Sequence, residues 1–198
     1  IHMTNTHIIP YMVWNDSNLD LEWLMTAEPA QAKYAPDLLR AESIGLQTGN
    51  VPVVIAGVRH GEATKAQRRQ AGRTRWAAML VHEIKPGITV EMYPKPLVEF
   101  GYGLPGCDVW NYWTENAPLT VSDPACKWLL LKRDGKLMMV LCTWNGKPSK
   151  PLITLDLKRM GAEVAKVVDA ESGEQVSTSP GKFSLDLEGY GVKVLRLE

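Results

Sequence analysis

The sequence predicts an α/β segment with parallel strands, arranged as in part of a (β/α) barrel, followed by an all-β antiparallel sandwich. Residues 51–58 form a near-continuous apolar run rich in β-branched residues, which is typical of parallel strands covered on both faces. A long helical pattern and a second strand-like run follow it, the order of a βαβ unit. After Lys127, short alternating runs separated by turn signals are typical of a sandwich. We place the α/β segment at residues 4–118 and the sandwich at residues 119–198.

The α/β segment begins with a predicted buried strand at residues 6–14 (THIIPYMVW), which a polar loop follows. A helical pattern at residues 19–26 comes next and is interrupted by proline. Pro36 suits the first position of a second helix, and Gly45 suits its end, so we predict that helix over residues 37–44.

The remainder of the segment predicts a strand at residues 51–58 (VPVVIAGV), a helix at residues 63–84 and a strand at residues 88–93 (ITVEMY). Pro86 and the glycine after it are expected to end the long helix. Four arginines of this helix are expected to be largely solvated, namely Arg68, Arg69, Arg73 and Arg75. Three or four parallel strands are roughly half of a closed eight-stranded barrel, so we expect a partner chain or a second copy to cover the open edge.

Residues 94–124 are rich in glycine, proline and aromatic side chains, and they are expected to form a structured loop with at most one short strand. The sandwich then begins with two strands joined at Asp134-Gly135, a strong hairpin signal. Further strands are predicted at residues 152–157, 164–168, 183–187 and 192–197.

Composition excludes several classes of protein. The formal net charge is zero and the isoelectric point is near 7.1, so nothing favours nucleic acid or an anionic membrane surface as a partner. No apolar run approaches the roughly 20 residues that span a bilayer. Three widely spaced cysteines predict neither a disulfide framework nor a zinc site, and no phosphate-binding or dinucleotide-binding motif occurs. We therefore expect no cofactor and no metal.

Polar side chains follow two predicted parallel strands, where α/β proteins usually place their sites. Trp14 would stack on a sugar ring, with Asn15 and Asp16 binding its hydroxyls, and His60 or Glu62 would transfer a proton. Glycoside cleavage uses two carboxylates, and the candidates for this pair are Asp16, Glu62, Glu91 and Glu99. Of these, Asp16 and Glu62 are our catalytic candidates. The alternatives are a helix cap at the first strand end and a solvated loop at the second.

A second candidate surface is the aromatic segment, residues 110–115. Trp110, Tyr112 and Trp113 have the composition of a sugar platform, and Asn111 and Glu115 are suited to bind hydroxyls. The alternative interpretation is a packed hinge between domains.

Four stretches resemble the C-terminal portion of large glycoside hydrolase-like proteins, and the nearest named group is the β-N-acetylgalactosaminidase-type barrels. They are residues 100–113 (FGYGLPGCDVWNYW), 121–145 (VSDPACKWLLLKRDGKLMMVLCTWN), 167–174 (VVDAESGE) and 188–197 (EGYGVKVLRL). The resemblance covers about half of the chain, residues 100–198. It implies late barrel strands followed by a sandwich.

In that group the catalytic acidic pair lies on an earlier barrel strand, which this sequence lacks. The resemblance therefore implies a C-terminal portion or subunit that needs a missing N-terminal half or a partner chain to act on carbohydrate. A non-catalytic carbohydrate-binding or assembly module is the alternative, and a self-contained small α/β enzyme is a third.

Overall fold

A computed structural model describes residues 28–43, 53–54, 64–86, 94–177, 179 and 181–198. The chain divides into two compact units, residues 1–92 and 93–198. The predicted strands at residues 6–14 and 88–93 and the helical pattern at residues 19–26 lie outside the described residues.

Among its described residues, the first unit contains one parallel strand pair joined through a helix. Its elements are α1 (Ala30–Lys33), α2 (Pro36–Ser43), β1 (Val53–Val54), α3 (Lys65–Leu80) and β2 (Lys85–Pro86). Val53 pairs with Lys85 and Val54 with Pro86, in parallel register. The predicted βαβ order is thus present in this stretch, whereas the larger barrel-like arrangement stays a prediction.

Helix α3 begins with a capping box and ends earlier than predicted. Thr64 Oγ1 accepts a hydrogen bond from the Gln67 backbone N–H at 3.2 Å, and Gln67 Oε1 accepts one from the Thr64 backbone N–H at 2.9 Å. At the other end Ile84 N–H donates to Met79 O, and Glu83 adopts a left-handed φ of 58°. These contacts form a Schellman motif, in which Glu83 occupies the left-handed position that glycine usually takes.

One expectation about α3 is wrong: Arg75 is buried, with only 1% of its surface exposed. Ala71 and Ala78, four residues before it and three after it, are also buried, so all three lie on the inward face of the helix. Burial lowers the pKa of Arg75 to about 10. Arg69, by contrast, is exposed as expected, and Arg73 is half-buried.

The second unit is an antiparallel sandwich. Its elements are α4 (Lys95–Phe100), β3 (Asp108–Asn111), β4 (Leu119–Val121), β5 (Cys126–Arg133), β6 (Lys136–Thr143), β7 (Leu152–Leu155), α5 (Leu157–Met160), β8 (Val167–Asp169), β9 (Gln175–Ser177), β10 (Lys182–Ser184) and β11 (Val192–Leu197). A six-stranded sheet has the order β3-β5-β6-β11-β8-β9, and a three-stranded sheet has the order β10-β7-β4. All pairings within these two sheets are antiparallel, which confirms the predicted sandwich.

An apolar core lies between these two sheets. The six-stranded sheet contributes alternate side chains of β5, β6 and β11, and the three-stranded sheet contributes alternate side chains of β4, β7 and β10. Fully or almost fully buried members include Leu130, Met139, Leu141, Ile153, Phe183 and Leu195. The sequence spacing of two that predicted these strands is therefore the spacing that fills the core.

The predicted hairpin between β5 and β6 is confirmed. Arg133 pairs with Lys136, and the two residues between them have positive φ, 49° for Asp134 and 74° for Gly135. Positive φ at both central positions is the type I′ geometry that matches strand twist.

The expectation of a loop with one short strand over residues 94–124 is wrong, because this stretch contains helix α4 and two strands, β3 and β4. Strand β3 pairs with β5 over four residues, from Asp108 with Lys132 to Asn111 with Leu129. The predicted domain boundary at residues 118 and 119 stays a prediction. Because β3 pairs with β5, this strand before the predicted boundary belongs to the six-stranded sheet.

The loop before β11 explains the glycines of the segment EGYG. A Cβ added at Gly189 would overlap the carbonyl oxygen of Gly146, and Tyr190 N–H donates to Asn145 O at 2.8 Å. Gly191 N–H closes the turn by donating to Glu188 O at 2.8 Å. Two backbone segments approach each other here so closely that only glycine fits.

No helix in the described part of the chain is both long and apolar enough to cross a membrane.

Candidate functional site

The strand-end candidates Trp14, Asn15, Asp16, His60 and Glu62 lie outside the described residues. Their catalytic and sugar-binding roles stay predictions. The structure does describe the aromatic segment, which lies at the end of β3.

Trp110 and Tyr112 are part of the sandwich packing. Trp110 lies opposite Leu130 in the ladder with β5, and Tyr112 N–H donates to Trp128 O at 3.1 Å. Both rings are half-buried and pack against the core. Side chains two residues apart along an extended chain lie on the same side of it, which explains why both rings pack against the core.

Asn111 and Thr114 form a closed turn. Asn111 N–H donates to Thr114 Oγ1 at 3.0 Å, and the same hydroxyl donates to Asn111 Oδ1 at 2.9 Å. Asn111 is 6% exposed. The expectation that this amide binds sugar hydroxyls is weakened, because its oxygen already accepts a hydrogen bond inside the protein. Glu115, in contrast, is exposed.

Tyr112 and Trp113 form an edge-to-face ring pair, with centroids 4.7 Å apart and planes at 86°. The Lys127 ammonium lies 4.9 Å from the Tyr112 ring centroid and donates to Pro124 O at 2.8 Å. Both aromatic rings are half-buried. The arrangement is a fixed amphipathic surface suited to contact with a sugar ring, and it supplies no acid–base pair.

Asp169 is the single buried carboxylate among the described residues. Its Oδ1 accepts hydrogen bonds from the backbone N–H groups of Glu171 at 3.0 Å and Ser172 at 3.2 Å, and its Oδ2 accepts one from Lys193 Nζ at 2.7 Å. Burial alone would raise the pKa of Asp169, but these three donors outweigh it and hold the pKa below its ordinary value. A carboxyl group held ionised in this way stabilises a turn, and it is unsuited to act as a general acid near neutral pH.

The two cysteines of strands β5 and β6 are buried and are unsuited to act as nucleophiles. Cys126 and Cys142 are buried, and burial raises the pKa of Cys126 to about 12 and that of Cys142 well above its ordinary value. Cys107 is half-buried, and burial raises its pKa as well. Within the described residues, no three histidine, cysteine, aspartate or glutamate side chains gather as metal ligands would.

Sequence reasoning missed one polar cleft of the second unit. Its walls include Arg133, Glu163 and Arg196, which come from segments far apart in the chain. No short motif links such residues, so only the pairing of the strands could have brought them to attention.

No protein-family model matches the sequence, and no curated protein matches it either. Solved structures that resemble it include a GH27 β-L-arabinopyranosidase from Geobacillus stearothermophilus, at 15% identity over 82% of this chain and 40% of that chain, with a TM-score of 0.46. Alpha-galactosidase I from Mortierella vinacea matches at 9% identity over 86% of this chain and 38% of that chain, with a TM-score of 0.38. A noncanonic maltogenic α-amylase from Thermotoga neapolitana matches at 8% identity over 89% of this chain and 48% of that chain, with a TM-score of 0.42.

The chain thus spans less than half the length of each of these three proteins. Glycoside hydrolases are therefore among its structural neighbours, the same broad class that the sequence resembles. At such identities and TM-scores, the likeness assigns neither activity nor substrate to this chain. The narrower resemblance to the β-N-acetylgalactosaminidase-type group stays a prediction.

Proposed function

We propose that this chain is the C-terminal portion or a subunit of a glycoside hydrolase-like, carbohydrate-active protein, and that its sandwich is a non-catalytic module. In this proposal the chemistry needs a missing N-terminal half or a partner chain. A partner or a second copy would cover the open edge of the α/β segment.

The observation that supports a non-catalytic role for the sandwich is the state of Asp169. It belongs to the segment VVDAESGE, one of the stretches on which the sequence resemblance rests, and its carboxylate is committed to a turn and to Lys193. The glycines of EGYG, Gly189 and Gly191, are likewise committed to a close backbone approach. These resemblance residues thus serve the sandwich fold, which leaves catalysis to residues elsewhere.

The proposal is tested by adding the missing part. The 198-residue chain is mixed or co-expressed with N-terminal barrel halves encoded upstream of it, and complex formation and hydrolysis of nitrophenyl glycosides are measured. We expect a stable complex and activity that depends on both chains, and loss of that activity in Asp16→Asn and Glu62→Gln. A matched control is Asp186→Asn, which changes an exposed carboxylate of the sandwich. Full activity of this chain alone would contradict the need for a partner.

The second candidate is a carbohydrate-binding module without catalysis, and the ring pair of Tyr112 and Trp113 favours it. It predicts saturable oligosaccharide binding that Trp113→Ala weakens and Asp16→Ala and Glu62→Ala leave unchanged. Binding accompanied by hydrolysis in the isolated chain would contradict it.

A further inference from the structure

A cleft of about 810 Å³ lies in the second unit, at the end of the six-stranded sheet. Its lining comes from α4, the turn between β5 and β6, the loop before β8 and the C-terminal end of β11. The volume falls within the range of roughly 300–1,000 Å³ typical of small-molecule sites.

Arg133 is held in a defined position at this cleft. Its Nη1 donates to Phe100 O at 3.4 Å, its Nε lies 3.6 Å from Asp134 Oδ2, and 30% of its side chain is exposed. A Cβ added at Gly101 would overlap the guanidinium group, so the glycine makes room for it. A side chain fixed before a ligand arrives loses less conformational entropy on binding.

The charges around the cleft are nearly balanced. Three cationic side chains and four carboxylates line it, namely Arg133, Lys136, Arg196, Glu99, Asp134, Glu163 and Glu198. Several of them neutralise one another, as Arg196 Nε does with Glu198 Oε1 at 3.3 Å. A phosphate site needs an excess of positive charge and a polyamine site an excess of negative charge, and this cleft presents neither.

A mixture of fixed donors and acceptors suits a ligand that carries many hydroxyl groups. Guanidinium groups donate only and carboxylates accept only, whereas a sugar hydroxyl does both. Half-buried Phe100 and Pro96 add apolar surface for the C–H face of a pyranose.

We infer that this cleft binds a short segment of a neutral oligosaccharide, with Arg133 as the principal donor and Glu163 as an acceptor. The inference rests on the proposed function for the class of ligand, and on the cleft itself for the position of the site. The aromatic segment at the end of β3 is a separate surface, so the two are distinguished by mutation.

The test uses the full 198-residue chain. It is screened against arrayed neutral di- to tetrasaccharides of hexoses and N-acetylhexosamines, and the dissociation constant of the best ligand is measured by calorimetry. Arg133→Met is expected to raise the Kd about tenfold or more, since a hydrogen bond from a charged group is lost. Glu163→Gln, at an exposed position where folding is not at risk, is expected to raise it several-fold, in line with a weakened acceptor.

Arg159→Met is the matched control, because Arg159 is exposed and lies outside the lining of the cleft. An unchanged Kd for this control together with the two losses supports the inference. Three results overturn it. The first is a Kd for both Arg133→Met and Glu163→Gln that equals the wild-type Kd. The others are no saturable binding of any neutral oligosaccharide, and binding of inorganic phosphate or spermidine in its place. Loss of binding in Trp113→Ala alone would assign the sugar to the aromatic segment, which overturns the cleft and retains the proposed function.

A cleft that binds no oligosaccharide can also be distinguished from failure of the proposed function. The activity assay with an N-terminal partner does not depend on the cleft, so hydrolysis by the complex would retain the proposed function even when the cleft binds nothing.

Discussion

Removing the charge of Asp169 tests whether its ion pair with Lys193 stabilises the fold. The two backbone N–H donors bind Oδ1, and Lys193 binds Oδ2, so Asp169→Asn keeps the acceptor of the turn and removes only the ion pair. The pair is 2.7 Å long with side-chain exposures of 36% for Lys193 and 7% for Asp169. A hydrogen bond between charged groups in such a setting contributes about 1.5–3 kcal/mol, and the partial exposure of Lys193 places the expected loss near the lower figure.

Asp169→Ala removes the turn acceptor as well, and about 1 kcal/mol more is expected for the two N–H groups left without it. The assay is urea unfolding of the full chain followed by tryptophan fluorescence, for the wild type, Asp169→Asn, Lys193→Met and the double variant. The coupling energy from this cycle isolates the pair.

The pH dependence provides a second check. The pKa of Asp169 is lowered in the folded state, so its stabilising contribution is complete above the unfolded pKa of about 3.9. That contribution is lost as the pH falls through the folded pKa. The free energy of unfolding of the wild type is therefore expected to exceed that of Asp169→Asn by the same amount at pH 7 and pH 5.5. This difference is expected to shrink as the pH falls below the unfolded pKa and through the lowered folded pKa.

An exposed ion pair of the same sandwich is the matched control. Lys150 Nζ lies 3.2 Å from Asp186 Oδ1, with side-chain exposures of 65% and 84%. The same cycle on this pair is expected to give less than about 0.5 kcal/mol. Equal coupling in the two pairs, or a stability difference for Asp169→Asn that does not shrink in acid, would refute the argument from burial.

Three further predictions concern packing, capping and thiol reactivity. Gly189→Ala is expected to lower the free energy of unfolding by about 2–3 kcal/mol, because its Cβ would overlap the Gly146 backbone. Gly103→Ala, at φ 81° with open space around it, is expected to lower it by about 1 kcal/mol. Equal losses in urea unfolding would contradict this difference. Thr64→Ala removes the cap of α3 and is expected to cost about 1 kcal/mol, with a matching loss of helical circular dichroism; no change in either would contradict the capping box. Titration with a thiol reagent under native conditions is expected to modify Cys107 first and the two buried cysteines only on unfolding, and equal rates would contradict their burial.

The parts of the fold that the sequence predicted are those fixed by local rules. Asp134-Gly135 predicted its hairpin because few residue pairs tolerate positive φ at two successive positions. The strand Val192–Leu197 matched its predicted limits because its alternation is set by the core on one face. Such signals depend on neighbours in the chain and need no knowledge of distant contacts.

Other features depend on tertiary contacts, and single-sequence patterns did not find them. Helix α3 ends at Leu80 because Glu83 takes a left-handed conformation that sequence rules reserve for glycine or asparagine. Arg75 is buried against the expectation for arginine, since helical spacing places it with Ala71. Arg133 lies at the cleft because β5 pairs with β6 and because Gly101, without a side chain, leaves space for its guanidinium group.

The motifs behind the carbohydrate resemblance therefore carry information about folding more than about chemistry. Gly189 allows two backbone segments to approach, and Asp169 closes a turn and pairs with Lys193. A sequence selected for these two contacts would retain them on any sandwich of this topology, whatever sugar its protein binds. Under the proposed function, sugar recognition would depend on other positions, and exposed Glu163 and half-buried Trp113 are the candidates. Comparing Glu163→Gln with Trp113→Ala in one binding assay thus tests which of the two proposed surfaces binds sugar.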